Sequence, residues 1–380
     1  MTRRRVYYLA GFDTRSPRFY HQLYRTQAER QQAINGWRYT VGDLQPVDEH
    51  SARFEVHADG PGGPVHTSYT CLQWNDIIRA HWPSSTLRVA AGMPAFYRHY
   101  GRTGCLRRTR ELARPFYLMM MLPLWYVLAG VVLALLAAVA AGGLAERAGA
   151  SGALSMSAAA GGFIATMALT LFACERQRVF WLMRAWTFMI DWARRPEQTH
   201  QRWTRFARQI DAELADEPAD EVLIVGHSAG AMAAISLAER WLARADEAGP
   251  RPAHVKLMTV GNATPLLGVI PEAGWFRAQI AAVGASSMIW MEYTAPADPL
   301  CYALVDPFLA CGLPPVTRRG YRIKSARFDK MFDPATYRRI RRDFFQIHFQ
   351  YLVATDRPVD NDYFTLTAGP RPLPIDVPVA

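Results

Sequence analysis

Residues 221–230, EVLIVGHSAG, decide how this chain folds. The continuous apolar run at 221–225 is typical of a central parallel strand, and the Ala-rich and Leu-rich residues that follow, to about position 245, predict a helix. Between them stands G-x-S-x-G, a strand-to-helix turn so sharp that the positions flanking the serine must be small. The turn lifts the Ser228 hydroxyl above the carboxyl edge of the sheet, so we predict that Ser228 is a nucleophile. We call the five residues of this turn the elbow: Gly226, His227, Ser228, Ala229 and Gly230.

A serine nucleophile needs a histidine that takes its proton. In a strand–turn–helix site of this kind the chain order is serine, acid, histidine, so the base lies downstream of Ser228. The sequence has two histidines there, His254 and His348. His254 opens the predicted strand 254–261 at the edge opposite the serine, whereas His348 lies where the last loop of the sheet would deliver it. We therefore predict that His348 is the base.

The acid must lie between Ser228 and His348 and must follow a strand. The predicted strand 287–294, SMIWMEYT, leads into the loop APADPLC, in which Asp298 is the first carboxylate. Asp306, in a second Asp-Pro pair, is the alternative. We predict that the acid orients the imidazole and stabilises its charged form without taking the proton.

The developing oxyanion needs backbone N–H donors. The first is that of Ala229, immediately after the nucleophile, and the second should come from the loop after an early strand. The early strand that ends in a glycine turn is VYYLAGFD, so we predict the N–H of Phe12, with that of Asp13 as the alternative. The Asp13 side chain has a second interpretation, as the cap of a helix that starts near Ser16.

Strands and helices alternate after residue 220, which predicts βαβ units and a parallel sheet. Upstream, a short apolar run at 5–10 predicts a buried strand, and the turn DGPGG joins two strands of a hairpin. The other predicted elements are strands at 52–58 and 65–72, and helices at 18–35 (with Phe19, Leu23 and Ala28 to one side), at 75–100 (broken near Pro83), at 199–215, at 272–283 and at 334–349, the last one basic.

Two long runs without charged residues occupy the middle of the chain. Because a membrane span needs about 20 apolar residues, we predict transmembrane helices at 116–141 and 153–173. Arginines are dense on both flanks, whereas the connecting loop carries only Arg147, balanced by Glu146. The positive-inside rule then places both flanks in the cytoplasm and the loop outside. The aromatic-rich segment that follows, within 176–198, predicts an interfacial helix or a linker, with a buried core segment as the alternative.

Composition excludes several classes of protein. The chain has 380 residues, of which 50% are hydrophobic and 12% aromatic, and this rules out intrinsic disorder. The 5 cysteines are scattered without metal-ligand spacing, which argues against a disulfide framework and against a structural metal, and no cofactor is expected. The net charge of +10 concentrates beside the predicted spans and before His348, which favours an anionic membrane surface over nucleic acid as the partner.

The GHSAG elbow, followed in order by Asp298 and His348, resembles the α/β-hydrolase superfamily, and VYYLAGFDTR is similar to the oxyanion-loop strand of that family. The whole chain looks similar to bacterial membrane-embedded members that are grouped with lipases and esterases. The resemblance covers residues 5–35 and about 200–355, and it implies a doubly wound, mostly parallel α/β sheet. About 210 residues separate the predicted oxyanion strand from the predicted strand before Ser228, more than the usual interval in the family. We therefore expect one hydrolase domain interrupted by a two-helix transmembrane hairpin.

The resulting organisation is an N-terminal part of the hydrolase domain at 1–113, the transmembrane hairpin at 114–175, the interfacial helix or linker at 176–198, the catalytic part at 199–365 and a Pro-rich tail at 366–380. The resemblance implies a serine hydrolase of the inner membrane, with its catalytic domain and both termini in the cytoplasm, that cleaves an ester or thioester of a hydrophobic acyl group, or a lipid. Two alternatives stay open: a non-catalytic membrane scaffold or transport partner with the same fold, and an acyltransferase that uses the same triad.

Overall fold

The computed structural model describes residues 1–82, 85–245, 254–314 and 320–373. The chain divides into two units, each of which is described by itself. The sheet unit comprises residues 1–80, 111–113 and 191–380, and the helical unit comprises residues 81–110 and 114–190. Residues 81–110 therefore belong with the apolar helices, although the sequence predicts them as part of the hydrolase N-terminal part.

Nine strands form one mixed sheet in the described part of the sheet unit. They are β1 (Thr2–Leu9), β2 (Arg38–Val41), β3 (Gln45–Asp48), β4 (Ser51–Asp59), β5 (Val65–Leu72), β6 (Glu221–His227), β7 (Val255–Val260), β8 (Ile289–Thr294) and β9 (Tyr321–Ser325). The spatial order is β2-β4-β5-β1-β6-β7-β8-β9, with β3 also paired to β4. All neighbours from β5 to β9 are parallel, and β4 is antiparallel to its partners. The predicted α/β class and mostly parallel sheet are confirmed.

Helices occur in both units of the described chain. In chain order they are α1 (Pro17–Asn35), α2 (Asn75–Ala80), α3 (Thr86–Arg102), α4 (Cys105–Leu112), α5 (Arg114–Arg147), α6 (Gly152–Arg176), α7 (Val179–Arg194), α8 (Glu197–Asp216), α9 (Ala229–Leu242), α10 (Thr264–Gly268), α11 (Gly274–Ala285), α12 (Pro307–Ala310), α13 (Phe328–Met331), α14 (Pro334–Ile340), α15 (Phe344–His348) and α16 (Tyr363–Ala368), with a 3-10 turn at Gln350–Leu352.

The predicted single basic helix at 334–349 is wrong. Helix α14 ends at Ile340 and α15 begins at Phe344. Between them the Asp343 carboxylate accepts hydrogen bonds from the N–H groups of Phe345 and Gln346, both at 2.9 Å. An aspartate in this role is a strong helix N-cap, so it starts a new helix instead of continuing the old one. His348 consequently ends a short separate helix.

The face of α1 that packs on the sheet also differs from the prediction. Tyr20 and Tyr24 are buried together with Ala28, whereas Phe19 and Leu23 are only partly buried. The two tyrosines lie against aromatic residues of the sheet, with ring centroids 5.3 Å apart for Tyr8 and Tyr20. A tyrosine can be buried between helix and sheet because its ring is apolar and its single polar atom lies at the tip. A pattern of purely apolar residues therefore does not identify this face of α1.

Strands β1 and β6 lie where the order of strand addition in the sheet reverses. From β1 the chain passes through α1 toward the β2–β5 side of the sheet, and from β6 it passes through α9 toward β7 on the other side. β1 and β6 are nevertheless neighbours, with Leu9 paired to Gly226 at their carboxyl ends. In open α/β sheets this reversal leaves a crevice outside the carboxyl ends of the strands, where ligands bind.

The amino ends of the same strands carry a buried ion cluster. The Glu221 carboxylate binds Arg4 Nε through Oε2 and Lys256 Nζ through Oε1, both at 2.7 Å. The same carboxylate accepts the Leu373 N–H at 2.7 Å, and Arg4 also donates to the Gly369 carbonyl at 2.7 Å. The start of the predicted Pro-rich tail is therefore helical in α16 and then held against the sheet, while residues 374–380 lie outside the described range.

In the helical unit, α5 and α6 lie side by side through small residues. A Cβ added to Gly130 would stand 2.2 Å from Thr170 Cγ2, and one added to Gly162 would stand 2.9 Å from the Ala137 carbonyl oxygen. Their other faces are apolar and exposed, since only 17% of the most apolar window of α5 and 6% of that of α6 is buried inside the protein. Both helices are long and apolar enough to cross a membrane.

Helix α7 is buried on most of its circumference. Phe180, Met183, Trp186 and Met189 are each no more than 2% exposed. An interfacial helix needs an apolar face that is open to lipid, so this burial does not fit the interfacial helix predicted within 176–198. A helix that is apolar nearly all round is buried in a protein interior, and the segment is a core helix.

Candidate active site

The elbow has the strained geometry that its sequence predicts. Ser228 stands between β6 and α9 with φ 59° and ψ −126°, a region that side-chain-bearing residues rarely adopt. Its N–H donates to the Val260 carbonyl at 3.0 Å, which ties the turn to the end of the next strand. The two elbow glycines are required by space: an added Cβ would stand 2.2 Å from the Gly230 carbonyl oxygen at Gly226, and 2.2 Å from the Leu9 carbonyl oxygen at Gly230.

The predicted acid and base are hydrogen-bonded to each other. His348 Nδ1 lies 2.8 Å from Asp298 Oδ2, and both side chains are no more than 2% exposed. Asp298 Oδ1 accepts the Leu300 N–H at 2.9 Å, which holds the carboxylate in place. The alternative acid, Asp306, caps α12 by accepting the Phe308 N–H at 2.8 Å. The structure therefore pairs Asp298 with the histidine and gives Asp306 a structural position.

Tyr351 is a third partner of the acid, and the sequence analysis missed it. Its hydroxyl donates to Asp298 Oδ2 at 3.0 Å and accepts the Ala295 N–H at 3.0 Å. It thus links the carboxylate to the backbone at the end of β8. The only sequence signal was its spacing, three residues after His348, which brings both side chains to one face of a helical turn.

His227 holds the backbone of the base. Its Nε2 lies 2.9 Å from the His348 carbonyl oxygen, and the two rings have centroids 4.9 Å apart. A carbonyl oxygen only accepts, so Nε2 carries the hydrogen. Burial lowers the pKa of the His227 imidazole to about 3, and the ring is neutral at physiological pH. The elbow residue before the nucleophile therefore positions the base without sharing its charge.

The loop after β7 packs against Tyr351 and His348. A Cβ added to Gly261, where φ is +59°, would stand 2.7 Å from Tyr351 Cε2 and 3.4 Å from His348 Cε1. The next residue, Asn262, donates to Glu292 Oε2 at 2.7 Å. Burial raises the pKa of the Glu292 carboxyl to about 8, so this support is uncharged at neutral pH.

The loop of residues 10–15 lies directly over the nucleophile. A Cβ added to Gly11 would stand 2.9 Å from Ser228 Cβ and 3.3 Å from Ser228 Oγ. Trp74 Nε1 donates to the Ala10 carbonyl at 2.9 Å, and Asn75 Nδ2 donates to the Arg15 carbonyl at 3.0 Å. Of the predicted oxyanion donors, Phe12 follows the glycine that touches Ser228, and Ala229 is the first residue of α9.

The predicted cap role of Asp13 is wrong. Ser16 occupies the N-cap of α1, and the Asp13 carboxylate instead accepts the Arg15 N–H at 2.9 Å, the Arg15 Nε–H at 2.7 Å and the Tyr20 hydroxyl at 2.5 Å. An aspartate readily bonds the N–H two residues ahead, and this local turn outcompetes the helix cap.

Ser228 and His348 contact adjacent residues at the end of β7 and in the loop after it. Ser228 N–H binds Val260, and Gly261, the next residue, adjoins the His348 ring. Among the hydrogen bonds of the described residues, none joins Ser228 Oγ to the imidazole.

Comparison with protein-family models, curated proteins and solved structures found no significant match. Within the described ranges, no group of three or more His, Cys, Asp or Glu side chains is placed to hold a metal ion. All 5 cysteines lie in the described ranges, where they are buried and form no disulfide bond.

The backbone strain at Ser228 is directly measurable. A side chain at this positive φ costs about 1–3 kcal/mol, which glycine avoids. We expect Ser228→Gly to be more stable than Ser228→Ala by about 1 kcal/mol, measured as a higher thermal midpoint. The control is Ser236 in α9, where Gly should instead be about 1 kcal/mol less stable than Ala. The same order of stability at both positions would contradict strain at the elbow.

Proposed function

We propose that the chain is a membrane-anchored serine hydrolase of the α/β-hydrolase type, which cleaves an ester or thioester of a hydrophobic acyl group. The observation that carries the proposal is the buried Asp298–His348 pair at the same sheet edge as the strained Ser228. A purely structural role for these groups gives no reason to keep a serine at a strained backbone position. Such strain is found mainly at functional sites.

In the first step Ser228 Oγ attacks the acyl carbonyl carbon. His348 Nε2 takes the hydroxyl proton, and the carbonyl π electrons move to its oxygen, which becomes the oxyanion. Asp298 stays ionised and stabilises the imidazolium through Nδ1. The N–H groups of Ala229 and Phe12 are the proposed donors to the oxyanion, with Asp13 N–H as the alternative; one such donor is worth roughly 10²–10³ in rate.

The tetrahedral intermediate then collapses. The bond from carbon to the leaving oxygen or sulfur breaks, and His348 gives its proton to that atom, which leaves an acyl-Ser228 ester. Water repeats the sequence on this ester: His348 takes a water proton, the new oxyanion forms, and Ser228 leaves as its hydroxyl with the proton returned. The products are a carboxylic acid and an alcohol or thiol.

We also propose that α5 and α6 anchor the enzyme in a membrane. At about 1.5 Å per residue, their 34 and 25 residues exceed the roughly 30 Å of a hydrocarbon core. Both helices expose large apolar side chains, among them Leu128 and Phe172, as lipid requires, and the close glycine contacts are typical of paired spans. The flanking arginines favour a cytoplasmic active site beside an anionic leaflet.

The nucleophile is tested with a fluorophosphonate probe on the full-length chain in detergent. Wild type should be labelled and Ser228→Ala should not, since the probe phosphonylates an activated serine, with fluoride as the leaving group. Ser236→Ala, at a buried serine of the helix after the elbow, should label like wild type. Labelling that survives in Ser228→Ala would refute the assignment, and a folded wild type that is never labelled would favour the scaffold.

Tyr351 is tested by its effect on the pH profile. Tyr351→Phe removes one neutral donor from Asp298 and with it the link to the end of β8. The carboxylate is then held less firmly, so we expect a rate about 3- to 10-fold lower. The carboxylate then favours the imidazolium more strongly, so the acid limb of the rate profile should move to higher pH. Tyr24→Phe, which removes a buried hydroxyl bonded to Thr367, should leave the profile in place. A profile unmoved in Tyr351→Phe would contradict this role.

The membrane anchor is tested by a charge in the middle of α5. Leu128 is 53% exposed, and an arginine near the centre of a span costs about 2.5–3.5 kcal/mol. Leu128→Arg should reduce the fraction of chain that stays in the membrane pellet after an alkaline carbonate wash. Leu87→Arg, at an exposed leucine of α3 outside the spans, should not. Extraction of wild type by the wash would contradict the anchor.

A further inference from the structure

Four arginines occupy five consecutive positions just before the predicted base. The segment YRRIRR, residues 337–342, runs from the last turn of α14 into the turn before α15, and its arginine side chains are exposed. Within the described ranges, no carboxylate is ion-paired with any of them. We call this cluster the arginine patch, and its members are Arg338, Arg339, Arg341 and Arg342.

The backbone around the arginine patch is held in place from both sides. Ile340, in the middle of the patch, is 2% exposed and belongs to the same buried cluster as Ile347 of α15. Asp343, the residue after the patch, accepts the N–H groups of Phe345 and Gln346 as the N-cap of α15. One buried side chain and one helix cap therefore keep the arginines on the solvent side.

The carboxylates nearest in sequence do not neutralise the arginine patch. Asp343 accepts backbone N–H groups of α15, and Asp333 lies 3.0 Å from Arg357 Nε. Asp329 lies 3.5 Å from Arg327 Nε. Four positive charges therefore remain close together, and their mutual repulsion costs free energy. A surface that presents several anions at once relieves this repulsion.

The arginine patch is joined to the base by one short helix. Helix α15 runs from Phe344 to His348, which is six residues after Arg342. At about 1.5 Å per residue of helix, this separation is about 9 Å along the chain. Tyr337, at the start of the segment, is half-buried, and the Arg341 guanidinium carbon lies 5.9 Å from the centroid of its ring. Arginine beside a partly exposed aromatic ring is typical of a surface at the headgroup level of a bilayer.

We propose that the arginine patch docks the sheet unit on an anionic lipid leaflet, so that the site meets its ester at the lipid surface. The proposal rests on the proposed function, in which α5 and α6 keep the sheet unit beside a membrane. Guanidinium groups bond phosphate oxygens well, and a leaflet offers a phosphate to each arginine. One arginine near an anionic leaflet favours binding about 5-fold, so four together make a stable contact. An acidic protein would also suit the charge, whereas the proposed anchor supplies lipid at all times.

Docking is tested on the full-length chain in lipid nanodiscs, with a readout that needs no catalysis. A thiol-reactive fluorophore is attached at Gln346→Cys, an exposed position of α15, since the native cysteines are buried. The nanodiscs contain phosphatidylcholine alone or with phosphatidylglycerol, and a lipid with a nitroxide on its headgroup quenches a nearby dye. Quenching should be stronger with phosphatidylglycerol and should weaken as salt is raised, because salt screens the arginines. A dye at Ala215→Cys, exposed near the end of α8, should show a smaller response.

The patch variant replaces all four arginines of the patch by glutamine, and it should lose the response to phosphatidylglycerol. Its control makes the same change of charge at exposed arginines elsewhere on the sheet unit and should keep the response: Arg18→Gln, Arg30→Gln, Arg38→Gln and Arg208→Gln. The patch side chains are exposed and unpaired in the described ranges, so the variant should keep its thermal midpoint. Equal quenching of wild type in both lipids would overturn the proposal. So would a response that survives in the patch variant, or one that is lost equally in the control.

Hydrolysis in the same nanodiscs shows whether docking serves the site. With p-nitrophenyl octanoate, an uncharged ester, phosphatidylglycerol should raise kcat/KM of wild type about 5-fold or more, since each arginine contact favours the docked state by that factor. In the patch variant the two lipids should give equal values. Equal values in wild type, with a dye that does respond, would overturn the role of docking in catalysis.

The docking surface and the hydrolase function fail differently. Hydrolysis that depends on Ser228, with a dye that does not respond to phosphatidylglycerol, would overturn docking alone. A dye response that depends on the arginine patch, without hydrolysis of any ester, would overturn the hydrolase function and leave the docking surface standing.

Discussion

The close approach of two backbones, at residues 9–11 and at the elbow, is the constraint on which the rest of the site depends. The carbonyls of Leu9 and Ala10 stand where a Cβ of Gly230 would be, and the space beside Gly11 is filled by Ser228. This contact fixes the register of the two central strands at their carboxyl ends. It also brings the loop with the candidate oxyanion donor over the serine, so geometry at one point determines both halves of the site.

Local features of the site could be predicted from the sequence. The elbow is a strand, a turn that tolerates only small residues, and a helix, all within about twenty residues, so its pattern is self-contained. Asp298 followed from chain order and from its place after a predicted strand, and His348 followed from chain order once His254 was set aside. In the structure His348 Nδ1 lies 2.8 Å from Asp298 Oδ2.

Features that depend on distant partners could not be predicted. Tyr351 joins the site because the end of β8 lies beside it, and nothing adjacent in the sequence marks its hydroxyl. The short strands β2, β3 and β9 are partly exposed, and their apolar alternation is correspondingly weak. The break before α15 depends on one capping carboxylate, whose effect competes with a strong helical pattern. For α7 the sequence left an interfacial and a core helix open, because only the packing of its neighbours decides between them.

The charged groups at the two ends of β1 have different roles. At the amino end, the Glu221 carboxylate binds both Arg4 and Lys256 in a buried cluster that holds the segment at 369–373. At the carboxyl end, Asp13 lies near the site where an oxyanion would develop, and an uncompensated carboxylate there would oppose that charge. The bonds from Arg15 and Tyr20 spread its charge, which leaves the backbone N–H groups to act on the oxyanion.

The position of β1 at the centre of the sheet has a consequence for biosynthesis. One edge of this strand pairs with residues 65–72, but the other edge waits for residues 221–226, and the ion cluster at its amino end waits for residues 369–373. A ribosome therefore makes both long apolar helices before the second neighbour of β1 exists. During that interval a buried-type strand has unpaired amides, which favour pairing with other chains. If the apolar helices enter a membrane as they emerge, they hold the nascent sheet near that surface and limit its encounters with other chains.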